Sequence, residues 1–204
     1  IGGGILGDIC GFAAATYMRG IKFVQVPTTL LAAVDSSVGG KTGVNFKETK
    51  NIIGAFQQPE FVLIDTEFFS TLHEEEFLCG IGEIVKYAYI TDESFFNSFK
   101  KDHEKLNNYK SKFLSDTVIE SIKFKGDVVA KDEKESGLRK ILNFGHTFAH
   151  GIEIDQNHRI KHGVAVIIGS ACALNLSAAK GYITSVQLEQ YLSILIPFQT
   201  KIKI

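Results

Sequence analysis

Residues 61–90 read Phe61-Val-Leu-Ile-Asp-Thr-Glu-Phe-Phe-Ser-Thr-Leu-His-Glu-Glu-Glu-Phe-Leu-Cys-Gly-Ile-Gly-Glu-Ile-Val-Lys-Tyr-Ala-Tyr-Ile90. The first five form a short apolar run closed by Asp65, the pattern of a buried strand. From Glu74 the apolar positions recur at helical spacing. That period continues over 74–90, 93–106, 111–131, 139–154, 163–180 and 184–195, with Gly137, Gly151 and Gly181 as punctuation. The change of period near residues 70–75 predicts an α/β part over 1–72 followed by an all-α part over 73–204.

Upstream of Phe61, strand and helix signals alternate, which predicts a parallel, doubly wound sheet. Gly2, Gly4 and Gly7 fit GxGxxG ahead of a helical Phe12–Met18. Glycines there let backbone approach a phosphate at a helix N-terminus. The Rossmann fingerprint is incomplete, because no strand precedes these glycines and no acid closes a second strand at the usual distance. Ile21–Val26 alternates as a strand stopped by Pro27, with Thr28 and Thr29 at its carboxyl end. Gly39-Gly-Lys-Thr42 invites a P-loop reading, but Asp35 stands where the first glycine must be. What remains is a Gly-rich loop carrying Lys41, beside Asp35 and with Lys50 and Asn51 behind it, suited to a polar ligand.

Hydrophobic residues make up 45% of the 204 and charged residues 22%, as in a soluble globular protein with a sizeable core. A net charge of -1 argues against nucleic acid as partner, so an anionic ligand must be met by local lysines and arginines. The three cysteines are isolated and odd in number, which predicts a reducing compartment and no disulfide framework. No uninterrupted apolar run is long enough to span a bilayer. Ile1 opens directly on glycines, so the chain reads as cut from a longer protein.

Two helices carry chemistry. In Glu74–Tyr89, Glu83 and Lys86 share a face amid Ile81, Ile84 and Val85, so Glu83 should point inward, where a carboxylate needs a cation. In Arg139–His162, His146 and His150 leave one helical face, with Arg139 and Asn143 at spacings that keep them on it. Spacing alone also fits an exposed polar stripe. Arg139, Asn143 and His162, the last at the start of an apolar helix, argue against that. Glu83, His146 and His162 make an oxygen–nitrogen–nitrogen ligand set from three helical segments, the pattern of a catalytic metal with an open position. His150 is a fourth candidate, and geometry on this level leaves open which histidine is spare.

The chain resembles the 3-dehydroquinate synthase family, the cyclases of the shikimate pathway. The resemblance rests on Gly2–Asp8, Val26–Ala32, Val34–Gly43, Gly82–Tyr87 and Leu138–His150, in order and over essentially the whole chain. It implies an NAD- and metal-dependent, carbon–oxygen-cleaving lyase of aromatic amino acid biosynthesis. Such an enzyme converts 3-deoxy-D-arabino-heptulosonate 7-phosphate to 3-dehydroquinate and phosphate. The steps are transient oxidation, phosphate β-elimination, re-reduction and intramolecular aldol closure. The implied fold is an α/β Rossmann-like nucleotide-binding part followed by an all-α domain, with the site in the cleft between. A cytoplasmic homodimer with zinc or cobalt is implied as well.

Residue by residue, the resemblance implies Glu83, His146 and His162 as metal ligands. It places NAD against Gly4, Ile5, Leu6, Gly7, Asp8, Thr28, Thr29, Lys41, Lys50, Phe68, Phe69, Ser70 and Thr71. Substrate would meet Arg19 (reaching across the dimer), Asp35, Asn51, Lys86, Lys125, Arg139, Asn143 and His150. Catalytic roles fall to Lys41, Lys86, Arg139, Asn143 and His150, the last for proton handling. Val164 departs from the family's usual glutamate. The family's first sheet strands and a C-terminal segment lie outside this sequence, so this piece alone is expected to bind NAD poorly. Rival readings are an inosose or valiolone synthase, disfavoured by Lys125, Arg139 and Asn143, a metal-dependent polyol dehydrogenase, and a non-catalytic piece that keeps only the fold.

Overall fold

The structure, a computed structural model, describes residues 1–199 other than 48 and 158, with backbone alone at 50, 107 and 199. Helix α1 (Gly4–Thr16) is followed by a 3-10 turn, an extended segment and a π-turn (Ala32–Ser36). Strands β1 (Lys41–Phe46) and β2 (Thr49–Phe56) come next, then a 3-10 turn over Thr66–Thr71. Helices α2 (Glu74–Ile90), α3 (Glu93–Asp102) and α4 (Lys112–Lys131) follow. A 3-10 turn over Leu138–Asn143 precedes α5 (His146–Asp155), α6 (His162–Ala179), α7 (Ser185–Leu192) and α8 (Ile196–Gln199).

The helix ends are written locally. Asp92 accepts from the Phe95 N–H, Ser111 from Leu114, and Thr184 forms a capping box with Gln187. Glu74, Glu75 and Glu76 occupy the positive end of the α2 dipole. One main core joins α2, α3, α4, α6 and the C-terminal helices through residues such as Ile84, Phe99, Leu114, Ile167 and Phe198. Val164 packs into it, so its apolar side chain serves the core.

The sheet differs from expectation. The expected Gly-rich loop after Gly40 is strand β1, paired antiparallel with β2 in the register Lys41↔Phe56 to Val44↔Ile53, Gly43 facing Gly54. Parallel pairing among the described residues is confined to isolated bridges, Gly2↔Pro27 and Gln25↔Val62. The expected buried strand after Glu60 alternates in burial, with Phe61 58% and Leu63 55% exposed. Its uniformly apolar sequence hides that only one of its faces is covered.

Two backbone-close crossings set the helical part. A Cβ on Gly82 would lie 2.1 Å from the Gly163 carbonyl oxygen, and one on Gly163 would lie 1.8 Å from that of Cys79. Helices α2 and α6 therefore touch main chain to main chain, and the Gly163 N–H also donates to Cys79 Sγ at 3.2 Å. Likewise a Cβ on Gly169 would sit 2.3 Å from the Gly145 oxygen, which brings α5 onto α6. Helix α6 spans 18 residues with mean hydropathy 1.5, enough by length and composition alone for a membrane span. Its burial between α2 and α5 identifies it as the core helix of the bundle.

Candidate metal and anion site

The crossings place their neighbours in sequence. Glu83 follows Gly82 and His162 precedes Gly163, so the α2–α6 contact puts carboxylate against imidazole; the α5–α6 contact adds His146 from the first turn of α5. Glu83 is 0% exposed and Lys86 1%. The Lys86 ammonium pairs with Glu83 Oε2. Glu83 Oε1 lies 3.5 Å from His146 Nε2 and 3.3 Å from His162 Nε2, yet it is buried with no hydrogen-bond partner. One ligand atom from each of the three residues falls within 4.8 Å of the others. Burial alone would raise the Glu83 carboxyl, but Lys86 and the two imidazoles hold it well below the usual carboxylate range. It therefore stays ionised. An ionised, buried oxygen with no well-aligned donor, facing two ring nitrogens, suits a divalent cation.

His150 falls outside that three-residue group. Its ring stands 5.6 Å from that of His146 and 6.3 Å from that of His162, on the more exposed side of the cluster. His146 Nδ1 meets the Phe144 carbonyl oxygen at 3.2 Å, which leaves Nε2 for Glu83's side.

Beside this cluster lies a cleft of about 470 Å³. Its lining includes Asp8, Asp35, Lys41, Asn51, Lys125 and Arg139, six of the sequence-predicted residues brought together. Asp35 ties the two regions. Its Oδ1 accepts from Lys125 Nζ at 2.7 Å and from the hydroxyl of Tyr87, next to Lys86, at 3.2 Å. Burial pushes the Asp35 carboxyl up, but the Lys125 and Lys86 ammonium groups together outweigh it and the net displacement is downward. Burial also pulls the Lys125 ammonium below its ordinary value, only partly offset by Asp35. Asp8, half-buried and facing Asp35, is raised to about 6, chiefly by desolvation.

Arg139 and Asn143 reach the site differently from expectation. They lie on the 3-10 turn before α5, cut off from its helical face by Gly145 in the left-handed region at φ 75°. Arg139 is buried, with its guanidinium donating to the Glu133 carbonyl and, at 3.0 Å, to that of Gly39. Asn143 donates to Glu135 at 2.6 Å, and Lys41 pairs with the same carboxylate. Glu135 was not foreseen; it sits in the polar run 132–137, which reads as solvated loop. Asp132 organises that run by accepting from the N–H groups of Ser136, Gly137 and Arg139. Glu153 was missed too, although it shares the α5 face with His146 and His150.

The residues expected against NAD are more dispersed. Gly4, Leu6 and Gly7 line a separate crevice of about 60 Å³ with Val26, Pro27 and Ser36. Thr29 Oγ1 accepts from the Ala32 N–H at 3.1 Å. Ser70 and Thr71 hydroxyls donate to carbonyls within their own turn, and the Phe69 side chain is buried in the core. Ile5 is exposed, Phe68 and Thr28 lie outside the large cleft, and the Lys50 side chain falls outside the described residues. Arg19 is exposed on the turn after α1, its φ 67° following Met18 at 50°.

Two family models together match the chain throughout: 3-dehydroquinate synthase N-terminal over residues 1–79 and 3-dehydroquinate synthase C-terminal over 80–204. The 3-dehydroquinate synthase of Geotalea uraniireducens is 49% identical over 96% of this chain and 54% of its own length. That of Thermoanaerobacter pseudethanolicus is 50% identical over 96% and 55%. The chain spans about half the length of the curated relatives it matches. Among solved structures, 2-deoxy-scyllo-inosose synthase complexed with carbaglucose-6-phosphate, NAD+ and Co2+ superposes with a TM-score of 0.90 at 30% identity, over 98% of this chain and 56% of that one. The 2-epi-5-epi-valiolone synthase of Streptomyces hygroscopicus, with NAD+ and Zn2+ bound, gives 0.87 at 30% identity over 96% and 56%. The fold is that of the sugar-phosphate cyclases, and with both family models matched along its length the chain belongs to the 3-dehydroquinate synthase family.

Proposed function

We propose that this chain carries the metal and substrate machinery of a 3-dehydroquinate synthase. The activity is conversion of 3-deoxy-D-arabino-heptulosonate 7-phosphate to 3-dehydroquinate and phosphate in the shikimate pathway. The observation that supports it most is Glu83 Oε1: buried, ionised, without a hydrogen-bond partner, and facing the Nε2 atoms of His146 and His162. In this reading those three residues hold zinc or cobalt, and residues 1–72 form a Rossmann-like part that binds NAD, followed by a helical part over 73–204. Gly4–Asp8, Thr28, Thr29, Lys41, Lys50 and Phe68–Thr71 serve the dinucleotide. The enzyme works in the cytoplasm as a homodimer, with Arg19 reaching the partner's site.

When bound, the cation supplies a Lewis acid for hydroxyl oxygens, and NAD takes up and returns a hydride. The chain's own residues bind and orient. Lys125, pinned by Asp35, presents a buried ammonium whose lowered pKa suits it to exchange protons with a neighbouring oxyanion. Lys41, Asn51 and Arg139 line the cleft with donors for phosphate and carboxylate oxygens, and Asn143 joins them through Glu135, the partner it shares with Lys41. Lys86 keeps Glu83 ionised, and His150 stands at the open side of the cluster to move protons. The higher identity to 3-dehydroquinate synthases, 49–50% against 30% for the inosose and valiolone synthases, favours the heptulosonate substrate.

Metal analysis after purification tests the reading directly. Wild-type protein should retain close to one divalent cation per chain, and Glu83→Ala should lose it. Equal metal content in both would refute the ligand set. Phosphate release from heptulosonate 7-phosphate but not from sedoheptulose 7-phosphate, without net NADH, checks the substrate and separates the cyclase from a dehydrogenase.

A further inference from the structure

We propose that Glu153 is a positioning residue for the metal centre: its carboxylate holds the proton of His162 on Nδ1, so that Nε2 of the same ring is presented as a lone pair beside Glu83. This rests on the reading of Glu83, His146 and His162 as a cation site.

The His162 imidazole spans two carboxylates. Its Nε2 is 3.3 Å from Glu83 Oε1, and its Nδ1 is 3.4 Å from Glu153 Oε1. A neutral imidazole has one N–H and one lone pair, and a cation takes the lone pair, so the proton must sit on the other nitrogen. The nitrogen that faces Glu153 is the one that must keep it. His146 is set the same way by a different group, its Nδ1 facing the Phe144 carbonyl two residues earlier. His162 opens α6 after the extended residue Lys161, so its acceptor comes from another helix.

Glu153 is buried at 7% exposure. Among the described residues, no lysine or arginine lies within ion-pair distance of its carboxylate, and the His162 ring is the ion-pair partner found there. A buried carboxylate without a cation is costly, so the placement of Glu153 is bound to that ring. Outer partners of ligating histidines are worth about 10–100-fold in metal affinity.

The test compares wild type with Glu153→Ala, Glu153→Gln and, as the limiting case, His162→Ala. Co2+ dissociation constants come from competition with a chromophoric chelator. The visible absorption of bound Co2+ and the metal-free thermal midpoint are recorded for each protein. The expected result for E153A is a Kd raised about 10–100-fold with an altered Co2+ spectrum, and a metal-free midpoint near that of wild type. E153Q, whose amide oxygen still accepts from Nδ1–H, should recover most of the affinity. Wild-type affinity and spectrum in E153A would overturn the proposal, as would a loss that E153Q does not recover. Failure of the wild type itself to bind Co2+ would instead refute the cation site, and the proposal with it.

Discussion

Replacing Lys86 by Met removes the cation that compensates Glu83 while keeping side-chain length. Both members are essentially sealed from water, at 1% and 0% exposure. Glu83 Oε1 already has no hydrogen-bond partner, so the substitution strands a buried charge. Removing one member of a buried pair costs about 3–5 kcal/mol. For a chain of this size, each kcal/mol moves the thermal midpoint by about 2–4 °C, so the metal-free midpoint should fall by roughly 6–20 °C. Divalent cation should reverse the effect. At 1,000 times its Kd a ligand adds about 4 kcal/mol to any native state that binds it. In K86M the gain should exceed that of wild type, because the cation then takes over the compensation of Glu83 that Lys86 gave and meets no ammonium beside it. The assay is thermal unfolding by circular dichroism, in chelator and in saturating Zn2+, for both proteins. A metal-free midpoint within about 2 °C of wild type, or equal metal-induced shifts in the two proteins, would refute the reasoning.

Two further outcomes follow from other parts of the molecule. Asp8 in the folded chain titrates near 6, above its ordinary 3.8, so the native state binds this proton more tightly than the unfolded one. Stability should therefore rise as pH falls through 6 towards 4, by about 1 kcal/mol once its partial exposure is discounted; urea midpoints of wild type and Asp8→Asn across that range should differ in slope, and parallel curves would remove Asp8 as the cause. Gly163→Ala forces a methyl group to within 1.8 Å of the Cys79 carbonyl oxygen. It should cost about 3 kcal/mol, the upper end of overpacking penalties, and weaken Co2+ binding by displacing His162; a variant with unchanged stability and affinity would show that α2 and α6 do not depend on that contact.

The helical part was readable because its signals are local. Asp92, Ser111 and Thr184 mark helix starts, and the apolar residues around Glu83 announce that it points inward. His162 could be placed at a helix start for the same reason. The hairpin was not readable: Gly39, Gly40 and Lys41 carry loop composition, and their pairing with 49–56 is information no local window holds. Arg139 and Asn143 do not share the α5 face that their spacing predicts, because the helical period does not run across Gly145. Glu135 was invisible because an acid in a charged run resembles solvated surface until Lys41 and Asn143 are seen to converge on it. Glu153 was within reach, three residues after His150 on the same face.

Gly145 acts as a swivel within the motif. Its left-handed backbone, pressed where a Cβ would meet Ser170 Oγ at 2.7 Å, turns the chain between Asn143 and His146. One unbroken helix would have locked the guanidinium, the amide and both imidazoles into a single angular setting. With the swivel, the half of this twelve-residue stretch that carries Arg139 and Asn143 and the half that carries His146 and His150 are aimed independently. Each can be tuned by evolution without dragging the other out of alignment.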